Sequence, residues 1–178
     1  MKLTKKRLLF LWMTCFGLTA GLPAAAQQSA MSEDDWIAIR AVINAQIDAL
    51  LEDDAETAFS YASPALRKLF QTPRQFISMI RQNYAAVYRP RAFTFLPPSI
   101  VDDVPVQPGQ VLAPDGNVVV ALYSMQREGA AGSAEWKING CQLVPLNAFY
   151  AALRVGRDDP VAGPVQSPIA GAFHFDRG

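Results

Sequence analysis

Histidine is almost missing from this chain. His174 is the only one among 178 residues, and it lies near the C-terminus. Without an imidazole inside the body of the domain, a Ser-His-Asp or Cys-His nucleophilic arrangement has no base. The usual zinc and non-haem iron ligand sets lose their commonest donor for the same reason. Cysteine is nearly as scarce, with only Cys15 and Cys141. No Walker loop and no glycine-rich dinucleotide fingerprint occurs, and Asp115-Gly116 alone is turn chemistry, not a calcium loop. Internal repeats and blocks of like charge are absent too, so neither a solenoid nor a polyelectrolyte tail is indicated. No cofactor is expected.

The one long apolar run is Leu8 to Leu22, 15 residues, short of the ~20 a membrane-spanning helix needs. It follows a basic stretch (Lys2, Lys5, Lys6, Arg7) and precedes Ala24-Ala25-Ala26. Basic segment, apolar core and small-residue site together read as a secretory signal peptide over residues 1–26, cut between Ala26 and Gln27. The expected destination is the periplasm, with no stable membrane insertion after cleavage. Removal of the leader also removes Cys15, so Cys141 has no intramolecular disulfide partner. Stability must then come from a hydrophobic core.

Charge looks balanced at 16 basic and 16 acidic residues, but the leader holds four of the basic ones. The remaining 12 basic groups against 16 acidic ones argue against nucleic acid as a partner.

The mature chain divides into two periodicities. Ser32-Glu33-Asp34-Asp35 reads as a cap with acidic first-turn residues, followed by Trp36, Ile39, Ile43, Ile47, Leu50 and Leu51 at helical spacing. Asp53-Asp54-Ala55-Glu56 caps a second, short helix. Ser63-Pro64 opens a third. Thr72-Pro73-Arg74-Gln75 reads as a capping box before a helix bearing Phe76, Met79, Ile80, Tyr84 and Val87, ended by Arg89-Pro90. Alternation then takes over. Phe93 and Phe95 share one parity, as do Ile100, Asp102, Val104 and Val106; Pro114 to Asn117 makes a turn, Val118 to Met125 a strong strand, and Glu135 to Asn139 another. Helices first and strands after predict an α+β domain over residues 27–145, with N-terminal helices packed on an antiparallel sheet. Asn147 to Leu153 reads as one more helical turn, and residues 146–178 as a flexible C-terminal extension of weak periodicity.

These segments carry a resemblance. The helix from Trp36 to Leu51, then Asp53-Asp54-Ala55, Ala58-Phe59, the helix from Phe76 to Tyr84, and a closing strand Trp136-Lys137-Ile138-Asn139-Gly140-Cys141 resemble the nuclear transport factor 2-like superfamily. With Ser63-Pro64, Val87-Tyr88-Arg89-Pro90 and Asn139-Gly140-Cys141-Gln142-Leu143, the set is similar to secreted bacterial proteins known only as a domain of unknown function. The resemblance covers about residues 33–145. It implies three helices packed into a curled antiparallel sheet, a cystatin-like cone with an internal pocket. Superfamily members include isomerases, dehydratases and many non-enzymes, so the fold leaves the chemistry open.

Candidate site residues are polar groups where the helical pattern calls for apolar ones. Arg40 falls about 40° from the centre of the first helix's apolar face, counting about 100° per residue. Asn83 falls near the centre of the Phe76-Ile80-Val87 face, and Gln46 and Tyr84 border these faces. In a cone, Arg40, Asn83, Tyr84 and Tyr123 could converge on a small, anionic ligand held by the guanidinium. Structural alternatives stand beside this: Arg40 snorkelling to a nearby acid, Asn83 satisfying a backbone group, the tyrosines serving as core residues with a hydroxyl at the rim. Asp102-Asp103 could act as the general base of an isomerase or lyase, or form a solvated strand end. Cys141 shares parity with the wetter sheet face unless a bulge near Gly140 shifts it. A homodimer through that sheet face is a further expectation. Three readings of function remain: a non-catalytic pocket protein, an isomerase or lyase, and an interaction module acting through the sheet and tail.

Overall fold

Capping chemistry sets the helix starts. In the computed structural model, which describes residues 31–130 and 133–158, helix α1 (Glu33–Leu51) begins on a reciprocal box. The Ser32 hydroxyl accepts from the Asp35 backbone N–H, and the Asp35 carboxylate accepts from the Ser32 N–H. Asp54, Ser63 and Thr72 cap α2 (Ala55–Ser60), α3 (Pro64–Phe70) and α4 (Pro73–Asn83) one-sidedly, each accepting one backbone N–H, so the box expected at Thr72 keeps only its cap half. The leader with its Ala26–Gln27 junction lies outside the described residues, as do His174 and the rest of 159–178.

Five strands follow: β1 (Ala92–Phe95), β2 (Ser99–Val101), β3 (Val104–Leu112), β4 (Val118–Glu128) and β5 (Glu135–Pro145). They form one antiparallel, curled, unclosed sheet in the order β1-β3-β4-β5. β1 and β2 lie end to end along β3, pairing with Gly109–Leu112 and Val104–Val106 respectively. The architecture is α+β. Trp36, Ile39, Ile43 and Ile47 of α1 pack on the inner sheet face, against Val111, Ala121, Tyr123, Met125, Trp136 and Ile138. A smaller helix–helix core joins Ala49, Leu50 and Ala58 to Phe76, Ile77 and Ile80.

Four local features depart from periodicity. The helix from Phe76 to Val87 is two helices, because Tyr84 leaves helical geometry (φ −131°, ψ 41°) and α5 (Ala85–Tyr88) starts afresh. The run from Ile100 to Val106 is not one strand. Asp102 and Asp103 both take positive φ (49° and 63°), a two-residue hairpin turn with Val101 facing Val104. In β5 the register slips by one, from Gly140 opposite Ser124 to Ile138 opposite Met125, leaving Asn139 as the extra residue of a bulge. That bulge turns Cys141 to the inner face with Ile138 and Trp136, where it packs on the main core.

The chain after β5 continues as α6 (Leu146–Asp158), which lies on the outer sheet face. Phe149 is buried there against Val106, Val120 and Leu122, with Val144 and Leu146 alongside. The part of the sheet that a dimer partner would cover is thus occupied in part by the chain's own helix. No helix of the described residues is long and apolar enough to cross a membrane.

Candidate functional site

The inner face is filled at one end and open at the other. The far end of the Phe93 ring sits against Gly109, where any Cβ would overlap it, and the ring meets Phe95 (centroids 5.0 Å apart) and Tyr123 (6.3 Å) edge-on. Trp136 closes the same end, its indole N–H donating to Asp35 Oδ1 at 3.2 Å. That bond and the stronger one from Ser32 hold the Asp35 carboxyl below its ordinary range, the Ser32 contact being the larger cause.

Beyond Tyr123 the interior opens into a cavity of about 380 Å³. That is the lower end of the range of small-molecule sites. It is bounded by α1 (Gln46, Leu50), α3 (Leu66, Leu69, Phe70), α4 (Phe76, Met79, Ile80) and the bulged edge strand β5 (Ile138, Cys141). Local chemistry places each wall. The bulge turns Cys141 inward, and the Tyr61–Ser63 link runs beside β5, where Ser63 N–H donates to Ile138 O at 2.8 Å and Ile138 N–H to Tyr61 O at 2.9 Å. Ser63 then caps α3 and bonds Asn139 Oδ1 through its hydroxyl (2.8 Å). The cap and the bulged residue together fix α3 over the cavity. Arg67 of α3 adds an ion pair with Glu128 at 2.8 Å.

The polar groups at this cavity are neutral. Gln46 is buried on α1 and donates from Nε2 to Ala58 O at 3.0 Å. Tyr123 and Cys141 are directly paired across β4 and β5. Burial pushes the Cys141 thiol up to about 12, against a smaller opposing pull from the Tyr123 hydroxyl. Burial also raises Tyr123 well above the ordinary phenol value and raises Tyr84, with Cys141 adding a lesser push in each case. All three groups carry their protons at neutral pH. Among the described residues lining the cavity, none is charged.

The predicted site residues separate. Tyr84 and Tyr123 line the cavity; Arg40 and Asn83 do not. Arg40 turns along α1 to pair with Glu33 at 2.7 Å, two helical turns back. Asn83 is exposed and donates to Met79 O at 3.1 Å on its own helix. Its expected inward phase was drawn through Val87, across the break at Tyr84. Asp102 and Asp103 are exposed in their hairpin turn, away from the cavity lining. Leu66, Leu69 and Phe70 were not foreseen as lining, and only the Ser63-Pro64 cap hinted at an element there. Strand parity places Cys141 on the wetter sheet face; the bulge at Asn139, beside Gly140, turns it inward instead.

A second cluster is structural. Asp53, at the α1–α2 corner, takes Arg81 at 2.9 Å and Arg89 at 2.8 Å and accepts from the Tyr88 hydroxyl. The Tyr88 bond, then Arg81, holds the Asp53 carboxyl below its usual range. Both guanidiniums stack on the Tyr88 ring, at 5.2 and 5.3 Å. The cluster ties the α1–α2 corner to α4 and α5. Among the described residues, no three His, Cys, Asp or Glu side chains gather as a metal-ligating group.

Fold and site together define an α+β domain with a largely apolar interior cavity. Residues 32–151 match the family described as Domain of unknown function (DUF4864), and the chain belongs to that family. No curated protein and no solved structure matches the chain.

Proposed function

We propose that this is a secreted, non-catalytic domain of the nuclear transport factor 2-like type, which binds a small, largely apolar molecule in its interior cavity. The observation that carries the reading is the lining itself: nine side chains with no hydrogen-bonding group (Leu, Ile, Val, Phe and Met) around 380 Å³, with hydrogen-bonding groups that are all neutral among the described residues. Ligand sites of this size are lined mostly by apolar groups with a few placed polar ones. The anionic ligand expected from Arg40 gives way to an uncharged one, because Arg40 is engaged by Glu33 on the outside of α1.

An isomerase or lyase needs a base inside the cavity. Among the described residues the lining offers no carboxylate, and a thiol near 12 is no nucleophile at neutral pH. Both facts favour binding over turnover. Helices against a curled, unclosed sheet with a cavity between them support the superfamily assignment. The leader supports export to the periplasm.

Fluorescence titration of the purified mature chain with the neutral probe N-phenyl-1-naphthylamine tests the reading. Saturable one-to-one enhancement is expected in the native protein. Met79→Trp, which puts an indole into the cavity, should abolish it without lowering the melting temperature. Absence of saturable enhancement, or enhancement untouched by Met79→Trp, would count against the cavity as a binding site.

A further inference from the structure

The cavity is chemically graded from rim to floor. Leu69 is 59% exposed although it lines the cavity, so the opening lies at α3, with half-buried Phe70 and Met79 also on the apolar side. The hydrogen-bonding groups are deep. Tyr123 is 2% exposed and Gln46 is 5% exposed, and both reach the cavity. Gln46 is also oriented: its Nε2 donates to Ala58 O, which leaves Oε1 to accept. Tyr123 supplies a hydroxyl that both donates and accepts. The floor thus offers Gln46 Oε1 as an acceptor and the Tyr123 hydroxyl as donor or acceptor. The lining adds the unpartnered Gln142 Oε1, and none of the described lining residues is charged.

A carboxylate or phosphate seated there would have no cation, and an ammonium no anion. An ion buried without a partner is strongly disfavoured, whereas a neutral polar group whose bonds are met is tolerated. Resting on the binding role proposed above, we infer that the ligand is an amphiphile with an uncharged head, a hydroxyl or primary amide. The head sits between Tyr123 and Gln46, and the apolar tail runs out past Phe70 and Leu69. Head-first entry follows from the gradient, because a tail-first ligand would leave the two buried polar groups facing methylenes.

The test is displacement of N-phenyl-1-naphthylamine from the full mature chain at pH 8 by three ten-carbon compounds: 1-decanol, decanoate and decyltrimethylammonium. Decanol should displace the probe at roughly a tenth of the concentration needed for either ion. Tyr123→Phe, which keeps the ring, should weaken decanol about fivefold when its displacement is referred to the probe affinity measured on the same variant. The head-group series on the native protein stands by itself if that variant folds poorly. Equal potency of all three compounds would overturn the head-first geometry while leaving the cavity as a site for apolar molecules. Stronger binding of decanoate would overturn the uncharged-head assignment. Failure of the probe to bind would overturn the cavity reading on which this inference rests.

Discussion

Tyr123 and Cys141 face each other as a cross-strand pair of β4 and β5, and both side chains are turned to the inner sheet face. The pairing exists because Asn139 is bulged out of β5; without that extra residue Cys141 would point to the opposite face. Cys141, the one cysteine among the described residues, is therefore a cavity-wall thiol, not an outward one.

Its reactivity should be low. In native protein at pH 8, a disulfide reagent such as dithiobis-nitrobenzoate is expected to label Cys141 orders of magnitude more slowly than in guanidinium, where labelling should be complete. The thiol's folded value of about 12 lies above its ordinary 9.0. A raised folded value means the protonated form is favoured by folding, so this contribution is whole below pH 9 and fades as pH climbs towards 12. Cys141→Ala should accordingly soften the alkaline fall in melting temperature across that window. Rapid labelling of the native thiol would contradict the inward placement.

Gly109 is required by Phe93. The ring occupies the space a Cβ would need, on a strand buried between β1 and β4. Gly109→Ala should cost about 1–3 kcal/mol in urea unfolding. Phe93→Leu in the same chain should recover part of that loss, since the shorter side chain vacates the overlap. Strict additivity of the two substitutions would show that the ring and the glycine are not coupled.

How much of this was readable beforehand follows from the range of each interaction. The caps at Ser32, Asp54, Ser63 and Thr72 are local chemistry, and each appeared where the sequence placed it. The turn at Gly116 and strand β4 were equally legible. The break at Tyr84 was not, because no proline or glycine marks it and the apolar spacing runs straight through. The Asp102-Asp103 hairpin hid behind an unbroken parity, lacking the glycine such turns usually carry. Tyr84 and Tyr123 line the cavity, whereas Arg40 turns away from it to Glu33, because a long side chain can leave an apolar face that its Cα sits on. Leu66 and Leu69 could not be found from one helix alone, since what they enclose depends on β5.

The C-terminal helix belongs to the packing of the outer sheet face through Phe149. Phe149→Ala should destabilise the protein by about 3 kcal/mol, by analogy with other large-to-small core changes. A chain ending after Pro145 should lose more, exposing Val106, Val120 and Leu122 together, and should self-associate on size exclusion. A loss under about 0.5 kcal/mol for Phe149→Ala would be that of a surface residue and would contradict the docking.

The central claim is that the cavity holds a small molecule, and native mass spectrometry of the protein purified from its own cells without refolding tests it most directly. The account predicts a non-covalent mass excess on the chain beginning at Gln27, shed on gentle activation and missing from Met79→Trp prepared in parallel. Native protein and variant that both fly at their bare sequence masses would contradict it.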